Sequence, residues 1–275
     1  MFGIISLAWK SLNVRSIQIV EHFLLFRGKI GVLQSPNYIH FRNEWQILGL
    51  DPPGQWPNRE FFQKLMNQLN ALPISADFDD FSYRADRCEM GRLRGNPPEG
   101  GQAFTKLVCR SNQITLVEEW AETTADEFKD KFTMILKEWF KLFPNTAIIA
   151  QRCCLRALIQ PAKFTDSRIF LGDRVMNIGN VMQQTFKSNM PFRVGFTFTC
   201  LRKAKDYNLF IDTTINSWRD NKTVWVQVEG VYPMERPINA TNPEKAKFPF
   251  EDCKSFLESE VLSFLNQFDT NGAES

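Results

Sequence analysis

The sequence predicts an α+β protein built as two tandem β-α-β-β-β-α repeats, with antiparallel sheets and helices packed on one face. Three observations carry this prediction. Four segments hold apolar residues at helical spacing, the segments between them alternate with a period of two, and both kinds recur in the same order in each half. The first repeat, with an N-terminal extension, covers residues 1–145, and the second covers 146–275.

In the first half, an extended apolar piece is expected somewhere in residues 17 to 41, followed by an insertion containing DPPGQWP (51 to 57). Residues 59 to 70 carry Phe61, Phe62, Leu65 and Leu69 on one helical face, after Asn58 as N-cap. FSYRADRCEMGRLRG (81 to 95), AFTKLVCR (103 to 110) and QITLVEEW (113 to 120) read as three strands. The turn NPPEGGQ separates the first two. Residues 125 to 142 form the strongest helix. Phe128, Phe132, Ile135, Leu136 and Trp139 line one side, Thr124 with Glu127 makes a capping box, and Pro144 ends the run.

The second half opens on TAIIAQRCCLRALIQ (146 to 160), an extended piece, and residues 168 to 186 follow as a helix. PFRVGFTFTCLRK (191 to 203) alternates through Phe192, Val194, Phe196, Phe198 and Cys200. YNLFIDTTINSW (207 to 218) and TVWVQVEGVY (223 to 232) complete an antiparallel meander. The helix at 250 to 268 puts Phe250, Leu257, Val261, Phe264, Leu265 and Phe268 on one face. Two such sheets either join edge to edge or pack as separate lobes.

Composition narrows the function classes. The chain has 275 residues, 43% of them hydrophobic and 23% charged, which is the make-up of a folded protein. Its 25 phenylalanines against 4 tyrosines point to thick, dry packing layers, since Phe has no polar handle. A net charge of +2 gives no general attraction to nucleic acid or anionic membrane, so any such binding needs a local basic patch. No run approaches the roughly 20 apolar residues that span a bilayer. Within residues 1–16, Phe2, Ile5 and Trp9 share a helix face, and a docked or frayed terminus is the expected reading, with no signal peptide. Six cysteines lack the paired spacing of zinc sites and read as thiols of a cytoplasmic protein.

Candidate chemistry is sparse. His22 and His40 are the only histidines, neither in a metal or triad motif, and no phosphate-binding or dinucleotide loop is present, so no cofactor is expected. Asp77, Asp79 and Asp80 cluster in DFDDF and form the one candidate metal set. Arg84, Arg87, Arg92 and Arg94 gather near the first hairpin as candidate anion-binding groups. Asp212 and Glu229 are placed on one sheet face with Gln227. In the strand 146–160, neighbours point to opposite faces, so Cys153 and Cys154 cannot enter one site. Arg152 and Arg156 share the Cys154 side and complete the binding candidates.

The segment QRCCLRALIQPAKFTDSRIFLGD, the later FIDTT (210 to 214) and the element order resemble a sporadically distributed family of uncharacterised bacterial proteins. That family has an Arg-x-Gly-Leu-Arg-Tyr-Ile-Asn type segment at this point. Arg152, Leu155 and Arg156 match it, Cys154 replaces its glycine, and Ala157, Leu158 and Ile159 depart from it. The resemblance implies the two-repeat fold and no activity. The expected function is a non-enzymatic protein-binding or assembly subunit, using the sheet surface or the cleft between repeats to hold a protein partner or a second copy. The alternative is a divergent metal-dependent nuclease or phosphodiesterase built on Asp77, Asp79, Asp80 and the nearby arginines.

Overall fold

In the computed structural model, the strand that opens each half pairs with its counterpart, so a single sheet results. Residues 33, 35–49, 57–72, 77–97, 100–187, 191–203 and 208–269 are described. The readings for residues 1–16, and most of the DPPGQWP insertion, fall outside them. Among the described residues nine strands form one antiparallel sheet in the order β2-β3-β4-β5-β1-β6-β9-β8-β7. The α+β class with antiparallel pairing therefore holds.

The first half contributes β1 (Asn37–Leu48), α1 (Arg59–Asn70), β2 (Asp80–Arg84), β3 (Arg87–Gly95), β4 (Ala103–Arg110), β5 (Gln113–Glu119) and α2 (Ala125–Leu142). Both helices start where their caps predict. Asn58 Oδ1 accepts from the Phe61 amide at 2.9 Å. Thr124 and Glu127 each bond the other's backbone N–H, which satisfies donors that the first turn leaves open. The expected strand over 81–95 is a hairpin instead. Arg84 and Arg87 are register partners, leaving Ala85 and Asp86 as the turn. That pair carries no Gly or Asn, the residues that ordinarily mark a two-residue hairpin.

The second half contributes β6 (Ala147–Ile159), α3 (Ser167–Ile169), α4 (Gly179–Phe186), β7 (Gly195–Lys203), β8 (Asn208–Ser217) and β9 (Val224–Ile238). It closes with α5 (Lys247–Ser255) and α6 (Leu262–Asn266). The helix expected over 168–186 is broken. Asp166 caps α3, a π-helical stretch Phe170–Val175 continues it, and Asn177 turns into the left-handed region at φ 54° before α4 begins. The last helix starts earlier than its apolar spacing suggests. A 3₁₀ turn at Pro243–Ala246 leads into α5, and Pro249 falls in its first turn, where a missing N–H costs no helical bond.

One face of the sheet meets the helices. Phe41 and Trp45 of β1 lie against Phe128 and Phe132 of α2, with ring centroids 5.1 and 5.6 Å apart for the Phe41–Phe128 and Trp45–Phe132 pairs. Phe250 of α5 closes the cluster at 5.5 Å from Phe128. All five side chains are fully buried, so the phenylalanine surplus becomes the dry layer it predicts. Two polar sets interrupt this layer. Gln151 donates to Asn43 Oδ1 at 2.9 Å and to the Ala246 carbonyl at 2.9 Å, tying both central strands to the turn before α5. Glu118 of β5 is buried and takes Lys131 of α2 and the Thr123 hydroxyl as partners.

A buried ion pair is weak evidence of net stability, yet removing one member strands the other charge. Lys131→Ala is therefore expected to cost about 3–5 kcal/mol of unfolding free energy. The double change Lys131→Met with Glu118→Leu recovers most of that loss, as read by urea denaturation.

Candidate functional site

The opposite face of the sheet presents a charged centre, arranged by register. Residues paired across neighbouring strands share a face, so one row runs Glu119 (β5), His40 (β1), Arg156 (β6) and Gln227 (β9). The next row runs Arg42, Cys154, Glu229 and Asp212. Their side chains bond along and between rows. Glu119 Oε2 stands 2.6 Å from His40 Nδ1 and 3.5 Å from the Arg156 guanidinium. Arg156 Nε donates to Gln227 Oε1 at 2.8 Å. Glu229 pairs with Arg42 at 3.0 Å and Arg152 at 3.4 Å. Asp212 accepts from the Thr199 hydroxyl at 2.6 Å.

Electrostatics in this network favour fixed charges over proton transfer. Burial pulls the His40 imidazole below its ordinary range, and the Arg156 and Arg42 charges add to the effect against the bond to Glu119. Neutral His40 then donates its Nδ1 proton to Glu119. Burial works to raise the Glu119 carboxyl, but the bond from His40 and the Arg156 charge outweigh it and leave it lowered. Cys154 lies fully buried in the second row, and burial with the Glu229 charge pushes its thiol up to about 12. Cys153 faces the helices, and burial raises it further. Two protonated, enclosed thiols on opposite faces make neither a nucleophile nor a dithiol centre.

At one end of the charged centre the face deepens into a cleft of about 450 Å³. The first half supplies Ile39, Phe104, Glu119, Trp120 and the Gly100–Gly101 loop, and the second supplies Arg156, Arg193, Trp218, Arg219 and Trp225. The Trp120 and Trp218 rings meet edge to face with centroids 6.3 Å apart. Arg219 lies 5.0 Å over the Trp218 ring, and Arg156 lies 5.9 Å from the centre of the Trp225 ring. Gly100 and Gly101 adopt φ of 81° and 102°. A Cβ on Gly101 would stand 3.1 Å from Trp120 Nε1, so glycine lets this loop close against the ring.

The sequence-derived candidates divide between these places. Arg152, Arg156, Asp212 and Glu229 meet on the open face. Arg84 is exposed beside the β2–β3 turn, and Arg92 pairs with Asp77 at 2.8 Å near the β3 strand. Arg94 turns inward and donates to the Glu119 and Trp120 carbonyls at 2.9 and 3.0 Å, bracing the end of β5. Asp79 and Asp80 are exposed, and among the described residues no group of three or more His, Cys, Asp or Glu is placed to hold a metal. Sequence reasoning passed over Arg42, the His40–Glu119 contact and the three cleft tryptophans. The available signal was a tryptophan at or beside a strand end in EEW, NSW and TVW.

The chain matches no family model, no curated protein and no solved structure. Among the described residues no helix is long and apolar enough to cross a membrane. What the site does must therefore be argued from its own geometry.

The lowered His40 gives that geometry a pH signature. The unfolded chain binds a proton near the ordinary value of 6.5 while folded His40 does not, so stability falls as pH drops through 6.5 towards the folded value. Lowered Glu119 adds a second loss below its ordinary 4.5. Urea midpoints measured from pH 8 downward should show the first loss in the native protein and not in His40→Gln, which keeps an amide donor for Glu119.

Proposed function

We propose that the chain is a duplicated β-α-β-β-β-α unit, with one strand more in the first half where 81–95 folds as the β2–β3 hairpin, and that it acts as a non-enzymatic assembly subunit, which joins a second copy of itself through the β7 edge and the adjoining open face. Strand order supports the duplication. β1 lies beside the last strand of its half and β6 beside the last strand of its own, and each half then runs outward in reverse order from the central pair.

The observation that carries the assembly reading is an apolar row next to the strand that ends the sheet among the described residues. Leu201 of β7 and Phe210 of β8 are register partners, 54% and 56% exposed, and Val231 of β9 follows at 43%. Exposed apolar side chains in a continuous row mark contact surfaces. β7 ends the sheet, and its residues 195–203 contain no proline that would spoil further pairing. Thr197 and Thr199 present neutral side chains on the same face, so two antiparallel copies meet there without like-charge repulsion. Such a two-fold contact closes on itself as a dimer. A catalytic reading has less to stand on: the charged groups of the open face are paired with one another, and the thiols beneath them are enclosed.

Sedimentation of the full chain is expected to show a concentration-dependent dimer. Leu201→Glu with Phe210→Glu, both exposed in the monomer, should weaken it by about tenfold or more without lowering the melting temperature, a loss of roughly 1.4 kcal/mol. A strict monomer at about 100 µM, equivalent to association weaker than roughly 5.5 kcal/mol, rejects the reading.

A further inference from the structure

The cleft between the halves has a different character from the apolar row, and its chemistry is selective. Among the described residues three tryptophans and the arginines Arg156, Arg193 and Arg219 line it, and its Glu119 carboxylate is engaged by His40 and Arg156. Guanidiniums gathered at one cleft favour an anion, although the whole chain carries only +2. Arginine in particular fits phosphate through two parallel N–H bonds. Its volume of about 450 Å³ lies in the range of small-ligand sites.

Aromatic faces set the second requirement. The strands around the cleft, β5, β1, β6, β9 and β8, are interior to the sheet and paired on both sides, so their backbone groups are committed to the ladder. A peptide bound there would find no strand edge to extend. A flat ring needs none, because stacking on Trp asks only for a π-face. Trp120 supports a built site: its φ of 51° is a costly conformation for a bulky side chain, and Arg94 holds the Glu119 and Trp120 carbonyls, one before and one after the Trp120 Cα.

We propose that this cleft binds a nucleotide, with the base stacked on the tryptophans and a phosphate on the guanidiniums of Arg156 and Arg193. The inference goes beyond the assembly reading and does not depend on it, because a monomer contains the whole cleft. The ligand is either a free nucleotide or one unit of a single strand, and the same chemistry serves both.

Tryptophan fluorescence and calorimetry on the full chain test it, with AMP, GMP, CMP and UMP, adenosine, inorganic phosphate, and the single strands dT6 and rA6. At least one monophosphate or single strand should bind below about 1 mM, with adenosine and phosphate each weaker by about tenfold. Trp218→Ala should weaken binding by about 5- to 150-fold, the loss of one stacked base. Arg193→Glu, at an exposed position, should weaken it by about tenfold with unchanged circular dichroism, which guards against misfolding of the tryptophan variant. Single strands bound about tenfold tighter than any monophosphate, with steep salt dependence, identify nucleic acid as the source, and equal affinities identify the free nucleotide. The proposal is overturned if no monophosphate or strand binds below about 1 mM, or if binding survives both substitutions unchanged.

Discussion

The β1–β6 ladder is the contact on which the molecule depends. These strands, 12 and 13 residues long, lie at the centre of the sheet and join everything before residue 145 to everything after it. Their register places Phe41, Asn43 and Trp45 towards the helices, with Gln151, Cys153 and Leu155 beside them. A slip by one residue would turn Arg42, Glu44, Arg152 and Arg156 into the phenylalanine layer and the aromatic rings out to water. Strand side chains have a period of two, so no intermediate register relieves that cost. Asn43, Gln151 and Cys153 sharpen the choice. Gln151 reaches both Asn43 and the Ala246 carbonyl only when the strands stand as they do, and Cys153 Sγ lies 3.1 Å from Asn43 Oδ1. Misplaced, these buried amides would lose their bonds at about 1–3 kcal/mol each.

The same ladder decides the chemistry of the open face. By seating His40 opposite Arg156, and Arg42 opposite Cys154 next to Glu229, it brings the arginines of both central strands within reach of Glu119 and Glu229. Arg42 and Arg152 meet Glu229, and Arg156 meets Glu119. Single exposed pairs of this kind contribute little, about 0–1 kcal/mol. Their effect is positional: Arg156, held by Gln227 and Glu119, is kept over Trp225 at the mouth of the cleft. Past the ends of the rows, Arg193 and Arg219 join the lining.

Local features of the fold are legible in the sequence because local physics sets them. Asn58 and the Thr124–Glu127 box fix two helix starts, and the alternation of RCCLR assigns Cys153 and Cys154 to opposite faces. Features that depend on distant partners are not legible. The β2–β3 turn at Ala85-Asp86 has ordinary residues and is held by pairing with β4, and the broken helix at Met176–Ile178 follows from an asparagine at positive φ. The charged rows are further out of reach. His40, Glu119, Arg156 and Gln227 are separated by up to 187 residues and become neighbours only when register is known. Reading arginines by their proximity in sequence therefore grouped Arg84, Arg92 and Arg94, which the fold sends to a hairpin end, an ion pair and a strand-end brace.

Arg94 shows why that brace matters more than its place in a basic run. Its side chain is 8% exposed, and it spends its donors on the Glu119 and Trp120 carbonyls. A guanidinium is costly to bury, and a tryptophan at positive φ is itself strained by about 1–3 kcal/mol. Hydrophobic burial does not explain the arrangement, since Trp120 stays half-exposed and a β-turn with glycine would close the strand at lower cost. What the arrangement achieves is direction. It turns the indole out of the β5 alternation and sets it edge to face with Trp218 from the other half. Gly101 then clears the space that a side chain would take beside Nε1. Arg94 and Gly101 from the first half and Trp218 from the second thus converge on the pose of one ring, and that ring borders the cleft the two halves share.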